Sequence, residues 1–590
     1  MKLILVGQRG TGKTTLLRRL AKYLPDHDCV DLDSEIERVE TRTIESIFHE
    51  RGESGFRLIE KHVFETILGR FENFPNAVIA LGAGFEFELP DEYEVIYVRR
   101  DSDDRPRVFF DRPNLDQNLS LRESYLHRAK KRKKKYKAVA NRVWTMPEGS
   151  FFPCEKEKSL LLERAENIGG FLTLLPSHFE LKDPSRVFQS YMKQGIKGFE
   201  FRDDLLNMDQ FNLALENIPF EKRLFSFREN PLIALEYKLA KWVDWDIVLG
   251  DKQEVSANIL SWHGKESSLE KSFKKLEELF KKAPFVKWAP EVESLSELKQ
   301  IHEWRQQFAS RLLFFPRTSI EGQLSSDWSW YRLLEKSIEV NFWRDAEGSS
   351  SDQPSLYRWH SCPLQVKRFA AVLGSPIKHS FSPGWHLPFF VRKDVPFFYI
   401  EMKAEEVTAE NLEFLRSLGL SYAAVTSPLK ERIFDLPNLR HDVRSQKYHS
   451  LNTLVWDHRL NVWRSTNTDF QGFHPLVEDL PRERVVIWGG GGTANVIKDL
   501  YPSAAHYSAR SGELKSGVSV DPEILVWAAG ATAKAPEKFW NPKYVVDLCY
   551  TQDSYARDYA LKVGAKYRPG TKMFARQAMK QQAFWARYGD

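Results

Sequence analysis

Apolar residues along this chain fall in short runs, and the pattern of the residues between them changes from one region to the next. Near the start, "KLILV" is a continuous apolar run of strand length. "GQRGTGKTT" follows, and then "LLRRLAKYL", where apolar positions recur at helical spacing. A strand, a glycine-rich loop and a helix are expected in that order. Between about 169 and 365 eight β-prone runs recur: "FLTLL" (from 171), "GFEFR" (198), "RLFSF" (223), "WDIVL" (245), "NILSW" (258), "FVKWA" (285), "RLLFF" (311) and "IEVNF" (338). Most steps are about 21 to 27 residues, with helix-like segments such as "SSLEKSFKKLEELFKKA" (267–283) between the runs. That spacing suits repeated strand–helix units, and eight of them predict a (β/α)8 barrel. The step from the fourth to the fifth run is too short for a full helix, and at under about 200 residues the barrel is expected to be trimmed. Further on, "VVIWGGGGTA" (485–494) again has the pattern of strand, glycine turn and helix.

Two of these patterns carry chemistry by themselves. Gly7 to Thr14 matches GxxxxGK[ST] between a strand and a helix. Its glycines let backbone N–H groups wrap phosphate oxygens, Lys13 reaches the terminal phosphates, and Thr14 can ligate Mg²⁺. Gly10, Gly12, Lys13, Thr14 and Thr15 form the expected nucleotide-binding set. The turn after 485 is a dinucleotide pattern, with Gly489, Gly491, Gly492, Thr493 and Ala494 facing a pyrophosphate. About 20 residues on, Arg510 and Ser511 stand where an acidic residue would favour NAD, so NADP is expected.

In a barrel the active residues lie at the C-terminal ends of the strands. Glu200, Arg202, Arg228, His263 and Lys287 occupy such positions. Lys287 sits inside "FVKWAP", and burying an ammonium is costly unless it is paired or neutralised. The apolar run is expected to keep this lysine uncharged and nucleophilic.

Composition narrows the picture by exclusion. In 590 residues, 86 basic and 81 acidic side chains leave a net charge of +5, which makes no global case for nucleic acid or membrane binding. No run approaches the ~18 apolar residues of a membrane span, and the apolar N-terminal run is too short for a signal peptide. Cys29, Cys154, Cys362 and Cys549 are scattered, which argues against a disulfide framework and favours a reducing, cytoplasmic setting. "HSC" (360–362) offers two metal ligands, too few for a site.

The first segment resembles the shikimate kinase family in "DLDSEIE" (31–37), "IFHERGESGFRLIE" (47–60), "LGAG" (81–84), "RPNL" (112–115) and "RKKKYKAVA" (132–140), in the family's order. The resemblance implies ATP with Mg²⁺ held by Thr14 and, through water, by Asp31. It implies Asp33 as the group that takes the shikimate hydroxyl proton, and Arg57 and Arg132 on the carboxylate. Gly82, Ala83 and Gly84 would line the substrate, with Ala83 standing for a family glycine, and Arg112 would cover the transferred phosphate. The middle segment resembles type I 3-dehydroquinate dehydratase through "FEFR" (199–202), "SWHG" (261–264) and "VKWA" (286–289). This implies that Lys287 forms an imine and His263 moves protons, with Glu200, Arg202, Arg228, Ser349 and Gln353 around dehydroquinate. It departs from the family at Leu232, where a glutamate is expected, and at Ser326, where an arginine should bind carboxylate. Arg317 and Arg332 are the candidate substitutes.

The last segment resembles shikimate dehydrogenase in seven ordered stretches, from "AAVLGSPIKHSFSPGWH" (370–386) to "GTKMFARQA" (570–578). This implies Lys430 and Asp469 as the catalytic pair. Ser380, Ser382, Thr426, Asn452, Tyr550 and Gln577 would surround the substrate, and NADPH would be the reductant. Leu387 and Ala424 replace family asparagines. The fold class expected is therefore multidomain α/β: a P-loop parallel sheet (1–168), a trimmed (β/α)8 barrel (169–365), and a two-part unit (366–590). The last divides into a substrate part, 366–480 plus the C-terminal helix, and a Rossmann part, 481–570. The order matches the last three modules of the fungal arom family, which implies three successive activities on 3-dehydroquinate, 3-dehydroshikimate and shikimate, with a homodimer left open. Fungal quinate-pathway repressors resemble the same modules, so a regulator without catalysis is the alternative, as is a kinase–dehydrogenase with an inactive barrel.

Overall fold

A computed structural model of the chain describes residues 1–100, 121–147, 155–229, 238–250, 257–308, 310–318, 327–345, 347–377, 380–391, 393–490, 493–530, 533, 535–536, 540–549 and 554–589. Four sheets carry its architecture. The first is parallel, with β1 (Lys2–Val6), β2 (Asp28–Asp31), β3 (Ala77–Ala80), β4 (Glu94–Arg100) and β5 (Arg142–Met146) in the order β2-β3-β1-β4-β5. β1 is central, and Leu3 to Val6 are all buried, as a strand covered on both faces requires. The loop leaving β1 enters the helix Lys13–Tyr23, so the glycine motif sits at the C-terminal edge of the sheet.

The second sheet holds eight parallel strands: β6 (Phe171–Thr173), β7 (Gly198–Arg202), β8 (Arg223–Phe227), β9 (Trp242–Asp246), β10 (Ile259–Trp262), β11 (Phe285–Trp288), β12 (Leu312–Phe314) and β13 (Phe342–Trp343). β6 to β12 pair in chain order and β13 returns to pair with β6, so the sheet curls on itself. Among the described residues no ladder joins β12 to β13, which leaves the seam there.

All eight expected runs contain strand, but two are shifted. The fourth lies at 242–246 rather than 245–249. "IVL" forms a 3-10 turn, Ile247–Leu249, whose amide at Val248 is capped by the Asp246 carboxylate, and none of the three side chains is buried. The apolar run predicts a strand at 245–249, but the strand is "WVDWD", with two aspartates on one face. The eighth is reduced to Phe342–Trp343. The Asn341 side chain donates to the carbonyls of Arg332 and Glu335 and so holds the preceding residues in a turn.

The third sheet comprises β14 (Phe369–Gly374), β15 (Phe397–Glu401), β16 (Leu420–Val425), β17 (Leu439–His441), β18 (Thr453–Asp457) and β19 (Val462–Thr466), in the order β15-β14-β16-β18-β19-β17. The fourth comprises β20 (Val485–Gly489), β21 (Ala505–Tyr507), β22 (Leu514–Ser516), β23 (Ile524–Ala528), β24 (Tyr544–Asp547) and β25 (Lys566–Arg568), in the order β22-β21-β20-β23-β24-β25. The order reverses at β20, and a crevice at such a switch point is where doubly wound sheets bind nucleotides. The final helix, Thr571–Tyr588, crosses back to the third sheet. Its Gln581 donates to the Asn452 carbonyl at 2.8 Å, and Trp585, fully buried, donates to the Leu454 carbonyl at 2.9 Å.

That helix is therefore a strap between the two parts of the third unit. Trp585→Ala should cost about 3–5 kcal/mol, the usual penalty for emptying a buried aromatic site. Urea unfolding would show it as a lower midpoint, and an unchanged midpoint would contradict the packing described.

Candidate active sites

Each unit gathers polar side chains around one lysine. In the first, Lys13 Nζ donates to the carbonyls of Gly7 (2.8 Å) and Gln8 (3.2 Å), folding back over its own loop. Gly12, at φ 101°, sits in the left-handed region that glycine tolerates. The Thr14 hydroxyl donates to Asp31 Oδ2 at 2.6 Å, so the two expected Mg²⁺ contacts are already side by side. Thr15 is exposed beside them. On the substrate side, a Cβ built on Gly84 would lie 2.0 Å from Arg57 Nη2 and 3.0 Å from Arg132 Nη2. One built on Gly82 would lie 3.0 Å from Asp33 Oδ1. The turn 82–84 thus packs directly under Asp33, Arg57 and Arg132, and Tyr136 donates to the Ala83 carbonyl. Glu60 was not foreseen as part of this site. It is fully buried and pairs with Arg57 at 2.6 Å. Burial raises its carboxyl above the ordinary range against the pull of Arg57. Its signal was its place three residues after Arg57, one helical turn away. Arg112 lies outside the described residues.

In the barrel, Lys287 is buried on β11, but its setting is not apolar. Its Nζ donates to Asp244 Oδ2 at 2.8 Å and Glu200 Oε1 at 3.3 Å. This corrects the expectation of a lysine neutralised by its surroundings: two carboxylates satisfy it as an ammonium. Burial pushes the Glu200 carboxyl up, but Lys287, Arg228 and Arg202 outweigh that and hold it at about 2. Glu200 also accepts from Thr173 (2.6 Å) and Ser226 (2.8 Å). Arg202, next on the same strand, turns to Asp204.

His263 lies between two charged partners. Its Nδ1 is 2.7 Å from Asp246 Oδ2, and its Nε2 is 2.8 Å from Arg228 Nη1. A guanidinium can only donate, so Nε2 carries the lone pair and the Nδ1–H donates to Asp246. Burial holds the imidazole below its ordinary 6.5, aided by the Arg228 and Lys287 charges and opposed by Asp246. His263 is thus a neutral base whose orientation Asp246 fixes. Gln353 donates to Thr173 Oγ1 (3.3 Å) and Ser349 Oγ (3.1 Å), which links both residues to Glu200. Leu232 and Ser326 lie outside the described residues. Of the two substitute arginines, Arg332 is buried against Phe315, with its guanidinium on the Pro316 carbonyl. Arg317 lies half-buried at the strand ends, bonded to the carbonyls of Ala289 (2.6 Å) and His263 (2.7 Å).

In the third unit, Lys430 Nζ donates to Asp469 Oδ2 at 2.6 Å, and Asn452 donates to Asp469 Oδ1 at 2.8 Å. Ser380 and Ser382 are buried, the Ser382 amide donating to Ser380 Oγ. Thr426 packs on Gly374, where a Cβ would lie 2.4 Å from its methyl. Among the described residues Gln577 Oε1 is buried with no hydrogen-bond partner. At the other sheet, Gly489 and Gly490 take φ of 82° and 138°, and Thr493 begins the helix Ala494–Leu500. The amides of Arg510 and Ser511 turn onto Ser508 Oγ beyond β21. Gly491, Gly492 and Tyr550 lie outside the described residues. Leu387 is partly buried against the core around Phe390, and Ala424 is buried within β16. A cavity of about 1050 Å³ lies where the three units meet, lined by Trp144, Tyr191, Trp385, Leu387 and Phe397 among others, and takes in none of the expected catalytic residues.

Two family models match parts of this chain. Residues 9–150 match the family model "Shikimate kinase", and residues 372–454 match "Shikimate dehydrogenase substrate binding domain". A "Pentafunctional AROM polypeptide" of Pneumocystis carinii is 23% identical over 558 residues, covering 81% of this chain and 34% of its own. The chain resembles an arom polypeptide. A "Shikimate dehydrogenase (NADP(+))" of Prochlorococcus marinus is 33% identical over 135 residues, 22% of this chain and 46% of its own. The solved dehydroquinate dehydratase and shikimate dehydrogenase part of AroM from S. pombe aligns with 73% of this chain and 98% of its own, at 16% identity and a TM-score of 0.27. The arom-like chain spans less than half the length of these two curated relatives.

The His263 geometry predicts that its imidazole titrates below 6.5. Asp246→Asn removes the group that favours the charged form, so it should lower that value further. Histidine NMR across pH 4–8 checks both, and a midpoint at or above 6.5 in the intact chain would contradict the arrangement.

Proposed function

We propose that this chain is a trifunctional shikimate-pathway enzyme, with working units at 1–168, 169–365 and 366–590. It dehydrates 3-dehydroquinate, reduces 3-dehydroshikimate with NADPH, and phosphorylates shikimate with ATP. One observation carries the reading. Lys287 and Lys430 are each held against carboxylates from distant parts of the chain, and beside Lys13 the Thr14 hydroxyl meets Asp31.

In the barrel, Lys287 must first lose a proton, and Asp244 Oδ2 is its nearest acceptor. The free amine then attacks the substrate ketone at C3, and water leaves to give an imine. The imine draws electrons from C2, whose proton passes to His263 Nε2. The C1 hydroxyl leaves as water, taking that proton back. Hydrolysis of the imine returns the lysine. Arg317, at the strand ends with its guanidinium already oriented by two carbonyls, takes the carboxylate in place of the missing family arginine.

In the first unit the left-handed Gly12 and the Thr14–Asp31 pair suit a bound nucleotide phosphate with Mg²⁺. ATP would supply the phosphoryl group, held by Gly10, Gly12, Lys13, Thr14 and Thr15. Asp33 accepts the shikimate hydroxyl proton, while Arg57 and Arg132 fix the carboxylate. In the third unit Gly489 and Gly490 suit a dinucleotide, because a Cβ on Gly489 would lie 2.8 Å from the Ala529 Cβ. NADPH would supply a hydride there, with Arg510 and Ser511 on its 2′-phosphate. Lys430 gives the proton to the reduced oxygen, and Asn452 keeps Asp469 aimed at the lysine. Gln577 Oε1, with no hydrogen-bond partner among the described residues, is left to accept from a substrate hydroxyl.

Three single variants separate the activities. Lys13→Ala should abolish only phosphorylation, Lys287→Ala only dehydration, and Lys430→Ala should slow only NADPH oxidation by about 10²-fold or more. Borohydride with 3-dehydroquinate should trap a mass adduct on Lys287. A wild type inert in all three assays that still bound quinate would make the chain a regulator. A missing adduct would remove the barrel chemistry alone.

A further inference from the structure

We propose that Glu347 is a positioning residue through which the first unit holds the barrel's dehydroquinate loop in its binding geometry. The proposal rests on the dehydratase reading of the barrel. Glu347 belongs to the short connection after β13, yet its carboxylate points out of the barrel and into the first unit. There it meets Arg99 from β4 at 3.3 Å, and Lys133 (2.5 Å) and Lys137 (3.8 Å) from the helix Leu121–Val139. Three cations converge on one half-buried carboxylate. Burial pushes it up, but the lysines and Arg99 hold it at about 2, so it stays charged at any working pH.

What Glu347 holds is the turn that carries Ser349 and Gln353. The Ser349 amide donates to Gln353 Oε1 at 3.1 Å, and Gln353 donates to Thr173, which donates to Glu200 beside Lys287. Gly348, between Glu347 and Ser349, has no room to yield. A Cβ there would lie 2.6 Å from Gln353 Oε1 and 2.8 Å from the Arg344 Cβ. A shift of Glu347 therefore moves Ser349 and Gln353. The turn's other two acidic anchors lie within the barrel, Asp345 on Tyr191 and Asp352 on Thr318. Glu347 is the anchor that depends on another unit.

The test uses the full chain and the dehydratase assay. Glu347→Gln should raise the KM for 3-dehydroquinate about five-fold with kcat within about two-fold, the signature of lost substrate binding rather than lost chemistry. Lys133→Ala/Lys137→Ala should do the same, although both substitutions lie in the first unit. Glu347→Asp, which keeps the negative charge that faces the three cations, should recover most of the loss. NADPH-dependent dehydrogenase activity on the same preparations, expected unchanged, reports that the chain is folded. A wild-type KM in the double lysine variant, or a fall in kcat alone, would overturn the proposal while leaving the dehydratase reading intact. A wild type without dehydratase activity would overturn both.

Discussion

A buried ammonium has to be paired, and the barrel is organised around that requirement at Lys287. The lysine projects from β11 into an interior closed by aromatic side chains, among them Phe342 at 4.8 Å. Without counter-charges an ammonium there would lose its proton or unfold its surroundings. Glu200 from β7 and Asp244 from β9 supply them, so three strands are tied by one charge cluster. The pairing also sets the chemistry. On the proposed imine route, Lys287 must part from these carboxylates before its amine can attack. Breaking a buried pair from one side is expensive, which explains why each carboxylate has hydroxyl donors or neighbouring cations of its own.

The same rule recurs at lower stakes in the other two units. Lys13 is satisfied by backbone carbonyls, which a phosphate would outcompete, so its resting position closes the loop without blocking it. Lys430 is paired with Asp469, which is in turn fixed by Asn452, so the two charged groups keep a set distance. Contacts between units extend the theme. The Leu295 amide at the start of a barrel helix donates to Glu406 of the third unit at 2.8 Å, and Glu347 crosses to the first. The units are joined by charged groups at defined points as well as by apolar packing.

Most of the fold was legible because parallel strands buried on both faces leave continuous apolar runs, and the glycine turns after β1 and β20 require particular backbone angles. Two barrel strands lie off their apolar runs for different reasons, and for β13 it is the turn that Asn341 holds before it. β9 carries its acidic residues inward to meet Lys287 and His263, while of the apolar residues that follow it Val248 is exposed and Ile247 and Leu249 are only half-buried. Lys287 itself was found by its pattern, while its environment was not, since Asp244 is 43 residues away in sequence and only the curled sheet brings them together. Asp246 was hidden in the same way. Glu60 escaped notice because a glutamate on a helix is usually a solvated one, and only the packing under Gly82 shows it to be buried. The departures in the third unit, Leu387 and Ala424, were visible directly, and both side chains are absorbed into apolar packing.

The central claim is that one chain carries three complete catalytic sites. Its most direct test is to supply the purified wild-type chain with 3-dehydroquinate, NADPH, ATP and Mg²⁺ and to follow products by mass spectrometry. The account predicts shikimate 3-phosphate, with one NADPH and one ATP consumed per molecule formed. Accumulation of unreacted 3-dehydroquinate, with shikimate 3-phosphate formed only when 3-dehydroshikimate is added, would contradict it at the barrel.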